Sequence, residues 1–133
     1  MQHEMNIRVY YEDTDAGGIV YHASYIRFAE RGRTELLRAA GFEHAKRLRE
    51  TKTGFAVVHL DVAYKAPAKL DDLLTLKTRI TRVGGASMEM GQDIYRGDQL
   101  LAAMKVTVVC IDSNLKAVRL PPEIRQMYEQ GSA

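Results

Sequence analysis

The run Leu100-Leu101-Ala102-Ala103-Met104-Lys105-Val106-Thr107-Val108-Val109-Cys110-Ile111 decides the fold. It is apolar at nearly every position, which suits a strand covered on both faces. Gly97-Asp98 precedes it as a two-residue hairpin signal, and Ser87 to Arg96 is a second extended run on the other side of that turn. Further upstream, Val83-Gly84-Gly85-Ala86 is a turn. Before it, Leu74, Leu76, Thr78 and Ile80 alternate with Thr75, Lys77, Arg79 and Thr81. Phe55 to Tyr64 alternates as well, with Ala56, Val58, Leu60, Val62 and Tyr64 on one side, until Pro67 breaks the pairing. Connections this short forbid parallel crossovers, so these four strands form an antiparallel meander.

The N-terminal half has a different period. Asn6 to Tyr11 reads as a short strand, and Glu12 to Gly18 as an acidic, glycine-containing loop. Then Tyr25, Phe28, Ala29, Gly32, Leu36, Ala39 and Ala40 recur at spacings of three and four, the stripe of a buried helix face. Ser24 or His22 can cap its start. Gly41 before Phe42 is a stop signal, with glycine in the left-handed position and an apolar residue after it. Glu43 to Glu50 forms a short charged helix, and Pro121-Pro122 opens a terminal helix through Tyr128. The expected architecture is α+β: one long helix wrapped by a curled antiparallel sheet of about five strands. No repeat, low-complexity tract or linker divides residues 1–133, so one domain is expected. Leu101, Ala103, Val109 and Ile111 suggest an apolar second sheet face, best covered by an identical subunit.

Composition narrows the function. The chain has 133 residues, of which 46% are hydrophobic and 27% charged, as in an ordinary folded domain. Its formal net charge is only +2, short of the basic excess of a nucleic-acid-binding domain. No stretch approaches the ~20 apolar residues that span a bilayer, and no apolar leader opens the chain. Cys110 is the single cysteine, which suits a reducing compartment. The cytoplasm is therefore the expected location.

Asp13-Thr14-Asp15 invites a calcium reading. An EF-hand needs Asp or Asn at the fifth loop position and Glu at the twelfth, and counting from Asp13 those positions hold Gly17 and Ser24. Zinc-type Cys/His spacing, a phosphate loop and a Gly-x-Ser-x-Gly elbow are also missing from the sequence, so a serine hydrolase is unsupported. On spacing alone, Asp13 and Asp15 are turn or cap formers ahead of a helix.

The order of elements resembles the hotdog fold. The segment Arg8-Val9-Tyr10-Tyr11-Glu12-Asp13-Thr14-Asp15-Ala16-Gly17-Gly18-Ile19-Val20-Tyr21-His22-Ala23-Ser24-Tyr25 resembles the active-site signature of the 4-hydroxybenzoyl-CoA thioesterase family. It is most similar to the YbgC-type branch, acyl-CoA thioesterases associated with the Tol-Pal envelope system. Supporting blocks are Glu30 to Arg38 in the helix, Tyr64 to Asp72 between strands, and Val108 to Asp112 in the last strand. The resemblance implies acyl-CoA hydrolysis without metal or cofactor, in a homodimer or homotetramer with sites at subunit interfaces. It implies Asp15 as the catalytic carboxylate, acting as nucleophile or general base, with His22 assisting and the oxyanion held at the helix N-terminus. It implies substrate contacts from Gly18, Tyr21, Ala23, Tyr64 and Pro67. An acyl carrier protein or a Tol-Pal component is the alternative partner. The competing functions are a non-catalytic acyl-binding or scaffold protein of that envelope system, and a hotdog hydratase or dehydratase. Gly32 stands where related sequences often carry alanine, a departure expected to affect packing.

The remaining candidates read as structural. Asp13 shapes the loop. His59 and Asp61 share one strand face and read as a solvent-facing pair. His3 and His44 lie in exposed segments. Cys110 and Met88, Met90 and Met104 fill the core. Lys65, Lys69, Arg82 and Arg96 lie near turns, where they are solvated or meet CoA phosphates.

Overall fold

The computed structural model describes residues 2–131. Along the chain run β1 (Gln2–Arg8), a single 3-10 turn (Tyr11–Asp13), α1 (His22–Ala39), α2 (His44–Glu50), β2 (Gly54–Tyr64), β3 (Leu73–Val83), β4 (Ser87–Arg96), β5 (Gln99–Ile111) and α3 (Pro122–Gly131). The strands form one five-stranded sheet in the order β1-β3-β4-β5-β2, with every pairing antiparallel. The α+β class is as expected, but only β3, β4 and β5 form a meander. β2 pairs with β5 at the far edge and not with β3, so the chain crosses from one side of the sheet to the other between Tyr64 and Leu73. The first strand starts and ends earlier than the Asn6 to Tyr11 reading. The reason is local: Tyr10 donates its N–H to the Asp13 carboxylate, which pulls the chain out of the ladder into the 3-10 turn.

One face of the sheet carries the core. Leu74, Leu76, Thr78 and Ile80 of β3 are buried beside Met90, Gln92 and Ile94 of β4 and Met104, Val106 and Val108 of β5. Helix α1 lies on this face, burying Tyr25, Phe28, Ala29, Gly32, Leu36 and Leu37. The stripe ends on Leu37, while Ala39 and Ala40 are exposed. The chain turns back there. Gly41 adopts φ 91°, and the N–H groups of Gly41 and Phe42 donate to the carbonyls of Arg38 and Leu37. These two hydrogen bonds close the helix, and Phe42 packs into the same cluster as Leu37. Helix α3 extends the helical layer through Ile124 and Met127.

Gly32 is a close-approach residue. A Cβ there would lie 2.4 Å from Leu76 Cδ2, 2.7 Å from Thr78 Oγ1 and 3.0 Å from Gln92 Nε2. The helix sits this low because Gln92, fully buried, donates its amide N–H to the carbonyl of Ala29 (2.7 Å) and to Thr78 Oγ1 (3.0 Å). A buried amide must find such partners.

Two strand expectations change. Leu101 faces the core and is fully buried, while the outer face is charged as well as apolar. There Glu4 pairs with Lys77, and Arg79 pairs with Asp93 while lying across Gly91, where a Cβ would come within 2.7 Å of the guanidinium. The alternation in β2 is interrupted by a register shift between Val57 and His59. Val57 and Val58 are consequently both exposed, at 50% and 59%, on an edge strand. His59 and Asp61 are exposed, in line with a solvent-facing pair.

Candidate active site

The loop between β1 and α1 is built around Asp13, which is buried. Its carboxylate accepts the Tyr10 N–H at 2.9 Å. Its carbonyl accepts the Tyr21 N–H at 2.9 Å and the Ser24 hydroxyl at 3.0 Å. Arg27 donates to Ser24 Oγ at 2.8 Å and lies 3.6 Å from Asp13 Oδ1. These bonds lock the loop to the first turn of α1, so Asp13 shapes the loop as its sequence context suggested.

Residues 14–20 form a miniature hairpin above that base. Thr14 bridges Val20, and Asp15 donates its N–H to the carbonyl of Ile19 at 2.9 Å. Gly18 closes the tip by donating to the carbonyl of Asp15 at 3.2 Å, with φ 81°. That backbone favours glycine. The exposed Asp15 carboxylate accepts the Gly17 N–H at 2.8 Å. Among the described residues no cation lies within ion-pair distance of it. The loop therefore presents an oriented but unneutralised carboxylate.

The start of α1 is open. Tyr21 is the N-cap and provides no side-chain cap. The expected cap from Ser24 or His22 does not form. Ser24 lies inside the first turn with its hydroxyl committed to Asp13, and His22 is the first helical residue. The amides of His22 and Ala23 thus meet no acceptor among the described residues. Such a helix end carries free N–H donors and a partial positive charge. The His22 ring is exposed and lies 4.4 Å from the Tyr21 ring.

Tyr64, at the end of β2, donates its hydroxyl to the carbonyl of His22 at 2.8 Å. Its ring meets Tyr25 edge-on at 5.4 Å, and the Tyr25 hydroxyl accepts the Ala68 N–H at 3.0 Å. The Val20 N–H reaches the carbonyl of Ala68, which draws the Pro67 segment against the loop. Arg96 holds that segment from beneath, donating to the carbonyl of Pro67 (3.2 Å) and to Asp72 (2.7 Å). Burial alone would raise the Asp72 carboxyl, but the Arg96 and Lys69 hydrogen bonds and charges outweigh it and hold it below its ordinary value.

Asp15, Gly18, Tyr21, His22 and Ala23 thus fall on one loop and one helical turn, with Tyr64 hydrogen-bonded to it and Pro67 brought beside it through Ala68, whose carbonyl accepts the Val20 N–H. Sequence reasoning missed the supports: Ser24, Arg27, Tyr25, Asp72 and Arg96. Only Asp72, three residues after Lys69 in a turn, left a local signal.

Comparison with known proteins identifies the family. Residues 17–103 match the model of the thioesterase superfamily. The chain is 43% identical to the acyl-CoA thioesterase YbgC of Haemophilus influenzae, over 92% of this chain and 90% of that protein. It is 45% identical to the acyl-CoA thioester hydrolase YbgC of Escherichia coli O6:H1, over 93% of each. A probable thioesterase from Bartonella henselae superposes with a TM-score of 0.88 at 41% identity, covering 91% of this chain and all of that one. The fold is the hotdog, and the chain belongs to the thioesterase superfamily, in its branch of YbgC acyl-CoA thioesterases.

Proposed function

We propose that the protein hydrolyses acyl-CoA thioesters to the free acid and CoA at the Asp15 loop, as part of a homodimer. The observation that carries this reading is the pairing of an unneutralised, oriented carboxylate at Asp15 with the uncapped start of α1. A thioester carbonyl oxygen lying against the His22 and Ala23 amides would have its developing negative charge stabilised there. Asp15 then supplies the second element. In one route its carboxylate attacks the carbonyl carbon, the C–S bond breaks, CoA leaves as thiolate, and water opens the mixed anhydride. In the other it takes a proton from water, which attacks instead. In both, the departing thiolate gains a proton, for which the exposed His22 is the nearby donor. Tyr21, Gly18, Tyr64 and Pro67 wall the site.

Dimerisation completes it. β2 is an edge strand with exposed Val57 and Val58, a template for pairing with another strand. A two-fold pairing of β2 with β2 is self-complementary and closes. It sets the Tyr64 end of one copy, with its Asp15 loop, against the Gly54 end of the other. No described helix is long and apolar enough to cross a membrane, and the reading is of a cytoplasmic enzyme.

The test is free-thiol release from short, long and aromatic acyl-CoAs by purified protein. Hydrolysis of at least one class is expected. A folded protein that releases thiol from none contradicts the reading.

A further inference from the structure

A cavity of about 360 Å³ lies between the second half of α1, helix α2 and the start of β2. We propose that it is an acyl-group subsite for short chains bearing a hydrogen-bond-accepting oxygen beyond the thioester, with Arg33 as the residue that reads that oxygen. This rests on the reading above, because β2 runs from the cavity at Gly54 to the α1 start at Tyr64. Antiparallel pairing of β2 therefore brings each cavity beside the other copy's Asp15 loop.

The size is at the small end of ligand sites. Most of the wall is apolar, including Leu37, Phe55, Met88, Met90 and Val108, which suits a carbon chain. The polar part of the lining is Glu30, Arg33, Thr34, His44, Arg47 and Thr53, and of these Arg33 is the one fixed from behind. Its guanidinium is half-buried, and its one hydrogen bond among the described residues goes to Gln92 Oε1 at 3.0 Å. Gln92 is itself fixed by its bonds to Ala29 and Thr78, so it holds Arg33 from behind. Most of the Arg33 N–H donors remain unspent. Burial pushes its pKa down, and the charge of Glu30 only partly offsets this. A desolvated guanidinium without a carboxylate partner is costly unless something oxygen-bearing meets it. Two further buried atoms of cavity-lining residues also lack a partner, His44 Nδ1 and Arg47 Nε. Arg47 also pairs with Glu123 at 3.2 Å, so only its Nε is unspent; together with Arg33 and His44 Nδ1 it points to a ligand with a polar far end.

The experiment compares kcat/KM of the intact protein for butyryl-CoA and pentanoyl-CoA with that for 3-hydroxybutyryl-CoA and succinyl-CoA. Oxygen-bearing chains are expected to be favoured by about tenfold or more, since a site built to hydrogen-bond a polar group rejects the analogue lacking it. The hydroxyl and carboxylate arms separate the two kinds of oxygen. Arg33→Met is expected to collapse the ratio towards one, and Arg33→Lys to keep part of it. A wild-type preference for the plain chains overturns the proposal, and so does an Arg33→Met protein with the wild-type ratio. If Arg33→Met fails to fold, the wild-type and Arg33→Lys ratios decide. Asp15→Asn runs alongside: activity retained there defeats the Asp15 reading, whereas the chain ratio alone defeats the Arg33 subsite.

Discussion

The Tyr64 hydroxyl donates to the carbonyl of His22 at 2.8 Å, joining the end of the edge strand to the first residue of the long helix. That contact sets the distance between two walls of the site. Burial and the neighbouring Tyr25 push the Tyr64 phenol up, so it remains a donor across neutral pH. Tyr64→Phe should cost about 1 kcal/mol of stability or less, because the residue is 47% exposed and a single neutral bond is removed. Activity should suffer more than stability. A fall in kcat/KM with a nearly unchanged melting temperature is the expected pair of results. Unchanged kinetics would contradict the positioning role.

Gly32 sets how close α1 lies to the sheet. Gly32→Ala improves helix propensity by about 1 kcal/mol. The added methyl would nonetheless fall 2.4 Å from Leu76 Cδ2, a fully buried side chain with nowhere to retreat. Overpacking of this kind costs about 1–3 kcal/mol, so net destabilisation is expected. Denaturant unfolding measures it, and a stabilised variant would show that Leu76 can move.

Asp72 links the site to pH. Its folded-state carboxyl is held below the ordinary value by Arg96 and Lys69. A depressed carboxyl contributes stability above the unfolded-state value, about 3.9, and loses it as pH falls through the lower folded value. Asp72→Asn should therefore melt below wild type at neutral pH, with the difference closing under acid conditions. A difference constant across that range would mean that the Arg96 ion pair contributes nothing.

The β2 edge is the expected dimer contact. Val58→Asp places a charge on it, which should block strand addition. Light scattering should give a dimer or larger assembly for wild type and a smaller species for the variant, with thiol release falling in step. A monomeric wild type, or a fully active monomeric variant, contradicts the shared-interface picture.

The β3-β4-β5 meander was legible because its turns are chemically marked: Gly97-Asp98 and Gly84-Gly85 leave strands of defined length between them, whereas the pairing of β2 with β5 carries no local mark. The helix stop at Gly41 was legible for the same reason. Long-range features were not. Nothing local foretells that Gln92 meets Ala29 across 63 residues, or that Arg96 braces Pro67. The bulge at Val58 was hidden because valine suits either face of a strand. In the site, Asp15 and the glycines were visible as a motif. The missing cap on α1 was not, since Ser24 looks like a cap until its hydroxyl is seen to bind Asp13.

The most direct test of the central claim is the hydrolysis rate of Asp15→Asn with an acyl-CoA that the wild type accepts. The substitution keeps the side-chain oxygen that accepts the Gly17 N–H, so the loop should fold normally by circular dichroism. The account predicts a fall in kcat of about 10²-fold or more, whether the carboxylate acts as base or nucleophile. Thiol release by folded Asp15→Asn at the wild-type rate would contradict it.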